Sequence, residues 1–215
     1  MATAIDTAVA LVTLEEAKEY LKVTTSNEDA VLSHIVNAVS AWVAGYLKRN
    51  LVSAARVEYY SGDGSVELVL KNYPVTVLTY IRVDENRTFG SDTAVDSTDY
   101  ILKPVQGIVR AFNLYGNWPC GESNIKVSYT AGYTVASSGT PGSSGTMPYD
   151  IRMATKRIID RMYRIAYTNR KADVSSESIS GMNITFNPDA VPKDAKSMLD
   201  GWKATMPSPQ YEYAD

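Results

Sequence analysis

The chain has 215 residues, 45% of them hydrophobic and 21% charged, with a formal net charge of −3. That length supports one large domain or two small ones, and that composition is ordinary for a globular protein. No apolar run approaches the roughly 18–20 residues a membrane-spanning segment needs, and the N-terminal MATAIDTAVALV has no basic residue, which argues against a secretory leader. The single cysteine, Cys120, excludes an internal disulfide and a cysteine-cluster zinc site, and fits synthesis in a reducing compartment.

Charge is distributed unevenly. Residues 148–171 carry two acids against seven bases, and residues 172–215 carry seven acids against three bases. One helix-length segment is thus strongly basic inside an acidic chain, whereas a general nucleic-acid binder is more often basic overall.

In chain order, Thr13-Leu14-Glu15-Glu16 reads as a capping box, because the Thr13 hydroxyl can accept from the Glu16 N–H while the Glu16 carboxylate reaches back. Leu14, Ala17 and Leu21 then repeat at helical spacing, which predicts a helix over 14–22. Ser26 is the next expected N-cap. Val31, Ile35, Val39, Trp42, Val43, Tyr46 and Leu47 form a broad apolar stripe that carries a second helix to about residue 49.

After Asn50 the pattern changes to short strands separated by turn residues. Strands are expected at 56–60, 65–70, 75–83, 100–103, 107–112 and 124–129, with Ser61-Gly62-Asp63-Gly64 as the first turn. Residues 135–146, VASSGTPGSSGT, read as a Gly/Ser linker. Pro148 opens a helix over 148–169 whose buried stripe is Ile151, Ala154, Ile158, Met162 and Ile165, with Arg152, Lys156, Arg157, Arg161 and Arg164 on other faces. A short helix over 192–203 presents Ala195, Met198, Leu199 and Trp202, and an extended tail follows.

Between those last two helices lies VSSESISGMNITF, residues 174–186. Met182, Ile184 and Phe186 alternate with Asn183 and Thr185, as in a strand. A lone strand lacks partners for its N–H and C=O groups, so the segment either returns to the upstream sheet or pairs with another molecule. The expected fold is α+β: a helical core made from both chain ends, with an inserted antiparallel β domain, a small sandwich or barrel. The parts are a helical portion over 1–50, the β insertion over 51–135, the linker over 136–147, the returning helical portion over 148–205 and the tail over 206–215.

Catalytic chemistry is poorly represented. The only histidine, His34, is mid-helix and reads as a surface residue; Cys120 follows Trp118-Pro119 with no activating histidine. No Gly-rich loop opens a helix after a strand. Asp84 and Glu85 suit a turn. Asp92, Asp96 and Asp99 lack the spacing of a calcium loop. The sequence therefore names no catalytic residue, no metal ligand and no cofactor. The basic helix has three readings: a solvated face, a docking face for an acidic neighbour, or a phosphate contact. Most of the 15 tyrosines read as cross-strand packing.

Four stretches taken together resemble the head–tail connector (adaptor, or head-completion) proteins of tailed bacteriophages. They are LVTLEEAKEYLKV (11–23), EDAVLSHIVNAVSAWVAGYLKR (28–49), NIKVSYTAGY (124–133) leading to PYDIRMATKRIIDRMYR (148–164), and VSSESISGMNITF followed by VPKDAKSMLDGW (191–202). The β section over 51–123 resembles that of the larger members with a β insertion. The resemblance implies a non-enzymatic virion part, made in the host cytoplasm. Copies would form a ring, twelvefold like the portal above it, that meets the portal and the next neck or tail protein. Genomic DNA would pass through the ring without specific binding, and no membrane would be involved. It implies contacts with neighbours or portal through Ser178, Ile179, Met182, Ile184, Phe186, Tyr211 and Tyr213. The alternatives are another neck or tail-completion protein, or a DNA-binding protein acting through the basic helix.

Overall fold

A computed structural model describes residues 4–113, 116–135, 145–172 and 190–203, with side chains of the third helix described as far as residue 166. The chain divides into two units: residues 1–49 with 148–215, and residues 50–147.

The first unit is helical. It contains α1 (Leu14–Leu21), α2 (Asp29–Leu47), α3 (Tyr149–Ala172) and α4 (Lys193–Asp200). The capping box forms at α1: Glu16 N–H donates to Thr13 Oγ1 at 3.1 Å and Thr13 N–H to Glu16 Oε2 at 3.1 Å. The helix stops when Lys22 turns left-handed at φ 58°, which lets Val23 N–H reach back to Lys18 C=O at 2.9 Å. Ser26 is not the cap of α2. Glu28 holds that position without a side-chain cap bond, while Ser26 supplies its carbonyl to Asp29 N–H.

Of the expected α2 stripe, Ile35, Val39, Val43 and Leu47 are fully enclosed, joined by Leu32 and Val36, whereas Val31, Trp42 and Tyr46 are half-buried. At 19 residues α2 is long and apolar enough to cross a membrane by length and composition, so the expectation that no apolar run approaches that length does not hold. Its packing against α1 and α3 explains that apolarity as the central helix of this unit. The N-terminal segment also docks on α2. Asn37 accepts from Asp6 N–H and donates to Ala4 C=O, both at 3.0 Å, and Ser40 Oγ accepts from the buried Leu11 N–H. Ile151, Ala154, Ile158 and Met162 of α3, with Ala195 and Leu199 of α4, are buried in the same unit.

The second unit is built from β1 (Ala54–Gly62), β2 (Glu67–Val69), β3 (Val75–Val83), β4 (Tyr100–Lys103), β5 (Ile108–Ala111) and β6 (Gly121–Ala131). They form two antiparallel three-stranded sheets, β1–β6–β3 and β2–β5–β4. One apolar cluster joins them. Ile125, Val127, Tyr129 and Ala131 of β6 meet Leu68 of β2 and Val109 and Ala111 of β5, with Trp118 fully buried and its Nε1–H donating to Val109 C=O at 3.1 Å. Two sheets over a common core make this a small sandwich. β2 is shorter than its sequence suggests because Ser65 belongs to the turn, where its N–H donates to Asp63 Oδ1 at 2.9 Å. The two ends of the Gly/Ser stretch are clasped: Thr134 and Thr146 exchange hydrogen bonds from N–H to Oγ1 at 2.8 and 3.0 Å.

Candidate interaction surfaces

The basic helix is the hub of the helical unit. Arg152 pairs with Glu16 of α1, and Lys156 Nζ lies 3.7 Å from the same carboxylate. Arg157 pairs with Asp194 of α4. Tyr163 donates to Glu28 at the start of α2. Arg164 Nε donates to both oxygens of Asp160, one turn back, at 2.9 Å. Arg161 is exposed. Four of the five basic side chains therefore meet carboxylates of this same chain. Glu16 does double service, capping α1 and receiving α3, because its side chain is only 14% exposed between the two helices. The sequence shows the capping role through local spacing. The partner 136 residues away is invisible to it.

Ser178, Ile179, Met182, Ile184, Phe186, Tyr211 and Tyr213 lie outside the described residues. His34 is exposed on α2 and Cys120 is an exposed free thiol. Among the described residues no three His, Cys, Asp or Glu side chains gather as a metal site. Asp84 organises its own turn by accepting from the Asn86, Thr88 and Phe89 N–H groups and the Thr88 hydroxyl, at 2.7–2.9 Å. The Thr88 hydroxyl and the Phe89 amide hold its carboxyl below the usual aspartate range.

The β unit holds a polar knot at one end of its core. Glu58 of β1 accepts from the hydroxyls of Tyr60 and Tyr129, the latter at 2.6 Å, and from Asn72 Nδ2 at 2.9 Å. The two phenol oxygens in turn accept from the Lys71 and Asn72 N–H groups. Burial, reinforced by donation to Glu58, raises both phenols above the ordinary tyrosine value, Tyr60 by a wide margin. Every member has a partner, as a buried network requires.

The outward face of β1–β6–β3 is a feature that sequence spacing does not reveal. Register places Val57 and Tyr59 of β1, Lys126 and Ser128 of β6, and Val77, Tyr80 and Arg82 of β3 on one side. Lys126 Nζ lies 5.6 Å from the Tyr59 ring centre and 5.7 Å from that of Phe89; the Arg82 guanidinium is 4.5 Å from the Tyr80 ring. In sequence no clustering of basic and aromatic residues is visible outside α3. Pairing across about 70 residues creates one.

Helices from both chain ends with a β-sandwich inserted between them define an α+β protein of two units, neither of which shows a metal site or a catalytic constellation among its described residues. The head completion protein family model matches residues 10–205, and the chain belongs to that family. A search of curated proteins finds no match. Among solved structures, the fold is similar to a chain in the neck of an empty gene transfer agent particle computed with C6 symmetry. The TM-score is 0.60 and identity 18%, covering 95% of this chain and 94% of that one. It is also similar to a chain in the neck of the native particle computed with C12 symmetry (TM-score 0.57, 18% identity, 96% of each chain). A chain in the virion of the native gene transfer agent matches at TM-score 0.56 and 19% identity, over 95% and 94%.

Proposed function

We propose that the chain is a non-enzymatic structural subunit of the neck of a tailed particle. Copies form a ring beneath the portal that connects head to neck and tail and continues the DNA channel. What supports this most is that both the family match and the fold likeness run through the two units together, from residue 10 to residue 205 and over 95% of the chain. The similar chains sit in necks computed with sixfold and twelvefold symmetry. A ring requires two different faces of each subunit to meet and close.

The chemistry of α3 agrees with DNA passing rather than being held. Each phosphate neutralised by a protein cation adds salt-dependent affinity. Carboxylates within the chain already engage Arg152, Lys156, Arg157 and Arg164. Ser178, Ile179, Met182, Ile184 and Phe186, with Tyr211 and Tyr213, then contact a neighbouring subunit or the portal, the strand-like part by strand addition. Replacing Ile184 with Pro removes an N–H and is expected to abolish portal docking while leaving the melting temperature of the free chain unchanged. Unfolding of the free chain instead would place the segment in its own core. The whole reading is tested by mixing the purified chain with purified portal and measuring mass. A complex with one chain per portal subunit is expected. Failure to bind any neck protein contradicts it.

A further inference from the structure

The outward face of β1–β6–β3 has a combination that solvent alone does not explain. Val57, Tyr59 and Val77 are 51%, 48% and 55% exposed, on a face whose only charged strand positions are Lys126 and Arg82. No carboxylate occupies a paired outward position on these three strands. The β unit carries nine acids, so their exclusion from this face is a local property. Both cations lie over aromatic rings, with no ion pair to an acid among the described residues. Exposed apolar side chains beside two cations, with no carboxylate at a paired outward position, form a surface suited to an acidic, partly aromatic occupant.

The chain has such a surface on α1. Glu15 and Glu19, four residues apart, share an exposed helix face, and Tyr20 beside them is 40% exposed. Neither carboxylate makes an ion pair among the described residues, in contrast to Glu16 on the inner side of the same helix. We propose that the outward face of β1–β6–β3 in one copy seats the Glu15–Glu19 face of α1 from the next copy. Both faces are exposed within one chain, and they differ from each other. Their pairing is therefore heterologous, which is what a closed ring needs. The proposal rests on the ring reading above and names the surfaces that build it.

Duplex DNA is the weaker occupant. A phosphate backbone rewards rows of lysine and arginine, whereas two cations set among Val57, Val77 and Tyr59 leave the apolar groups uncovered. Size sets the contact's rank. Three strands at ~4.8 Å spacing over about five residues cover roughly 240 Å², against about 800 Å² per partner in a standard interface. The face is thus the apolar centre of a larger contact.

The test uses the full chain, free at high concentration and bound to purified portal, with assembly read by mass. Lys126→Glu and the double change Glu15→Lys with Glu19→Lys should each weaken lateral assembly about tenfold or more, since like charges then meet. A chain carrying all three changes should recover part of that assembly, because the contacts of Lys126 with the two carboxylates are reversed together while Arg82 keeps its charge. Val57→Asp is an independent variant, expected to fail without recovery. Unchanged melting curves show that each variant folds. Assembly unaffected by the reversals overturns the proposal and leaves the ring reading standing. Weakening with no recovery in the triple variant also overturns it, by placing the acidic partner elsewhere. So does loss of labelled duplex binding by Lys126→Glu while assembly is unchanged. If the unaltered chain forms no ring, free or on portal, the ring reading itself fails, and this proposal with it.

Discussion

The two units solve the same problem by different means. The helical unit is assembled from chain segments about 100 residues apart. Its apolar stripes provide the burial, and charged tethers at the rim fix which helix meets which: Glu16 to α3, Asp194 to α3, Tyr163 to the start of α2. The β unit is contiguous in sequence, closed by the Thr134–Thr146 clasp, and its polar specification lies inside, in the Glu58 knot. Rim ion pairs are worth little individually, whereas a buried and fully satisfied network is costly to break. One unit should therefore tolerate loss of its polar contacts and the other should not.

The largest effects come from the cores and test whether the units are separate at all. Ile158 in the helical unit and Ile125 in the β unit are both fully buried, and changing either to Ala is expected to cost about 2–5 kcal/mol. Hydrogen exchange should show each loss mainly in its own unit. Equal loss of protection in both would break the comparison and make the chain one cooperative body.

Next is the knot. Glu58→Ala leaves the Tyr60, Tyr129 and Asn72 donors without their acceptor, at a cost of about 3 kcal/mol, read from the chemical denaturation midpoint. The phenols supply a pH signature. Their folded pKa values are raised above the unfolded value of about 10, so their contribution is complete below that pH and is lost as pH rises above it. Alkaline unfolding should therefore begin in the β unit, and Tyr60→Phe should blunt it.

A smaller loss is expected from Glu16→Ala. It removes half of the capping box and the acceptor of Arg152 and Lys156 together, for about 1–2 kcal/mol, visible as a lower melting temperature of the helical unit. Smallest is Arg157→Ala. Its pair with Asp194 is half open to solvent, so a change of about 0.5 kcal/mol or less is expected, shrinking further in high salt. A loss as large as that at Glu58 would erase the distinction between rim and interior.

Local rules carried the elements into view. The capping box at Thr13, the apolar spacing of α2 and the β-rich run of β3 each depend on residues within one element, and α1, α2 and β3 appear where the sequence puts them, whereas β6 extends beyond the expected 124–129 at both ends. The N-cap of α2 is hidden because Ser26 offers its carbonyl rather than its side chain. Pairing was not legible. β6 joins β1 and β3 across 42 to 77 residues, and two irregularities along β3 decide which of its side chains face outward. Register brings Lys126 beside Tyr59, whereas Tyr80 and Arg82 are two residues apart on β3, so only part of the cation–aromatic face is local in the sequence.

The central claim is that copies of this chain form the ring between portal and tail. It is tested most directly by imaging purified particle necks and fitting the chain into the density. The account predicts a closed ring directly under the portal, following its symmetry, with both units of each copy accounted for. Particles whose necks lack the chain, or contain it as isolated copies without lateral contact, would contradict it.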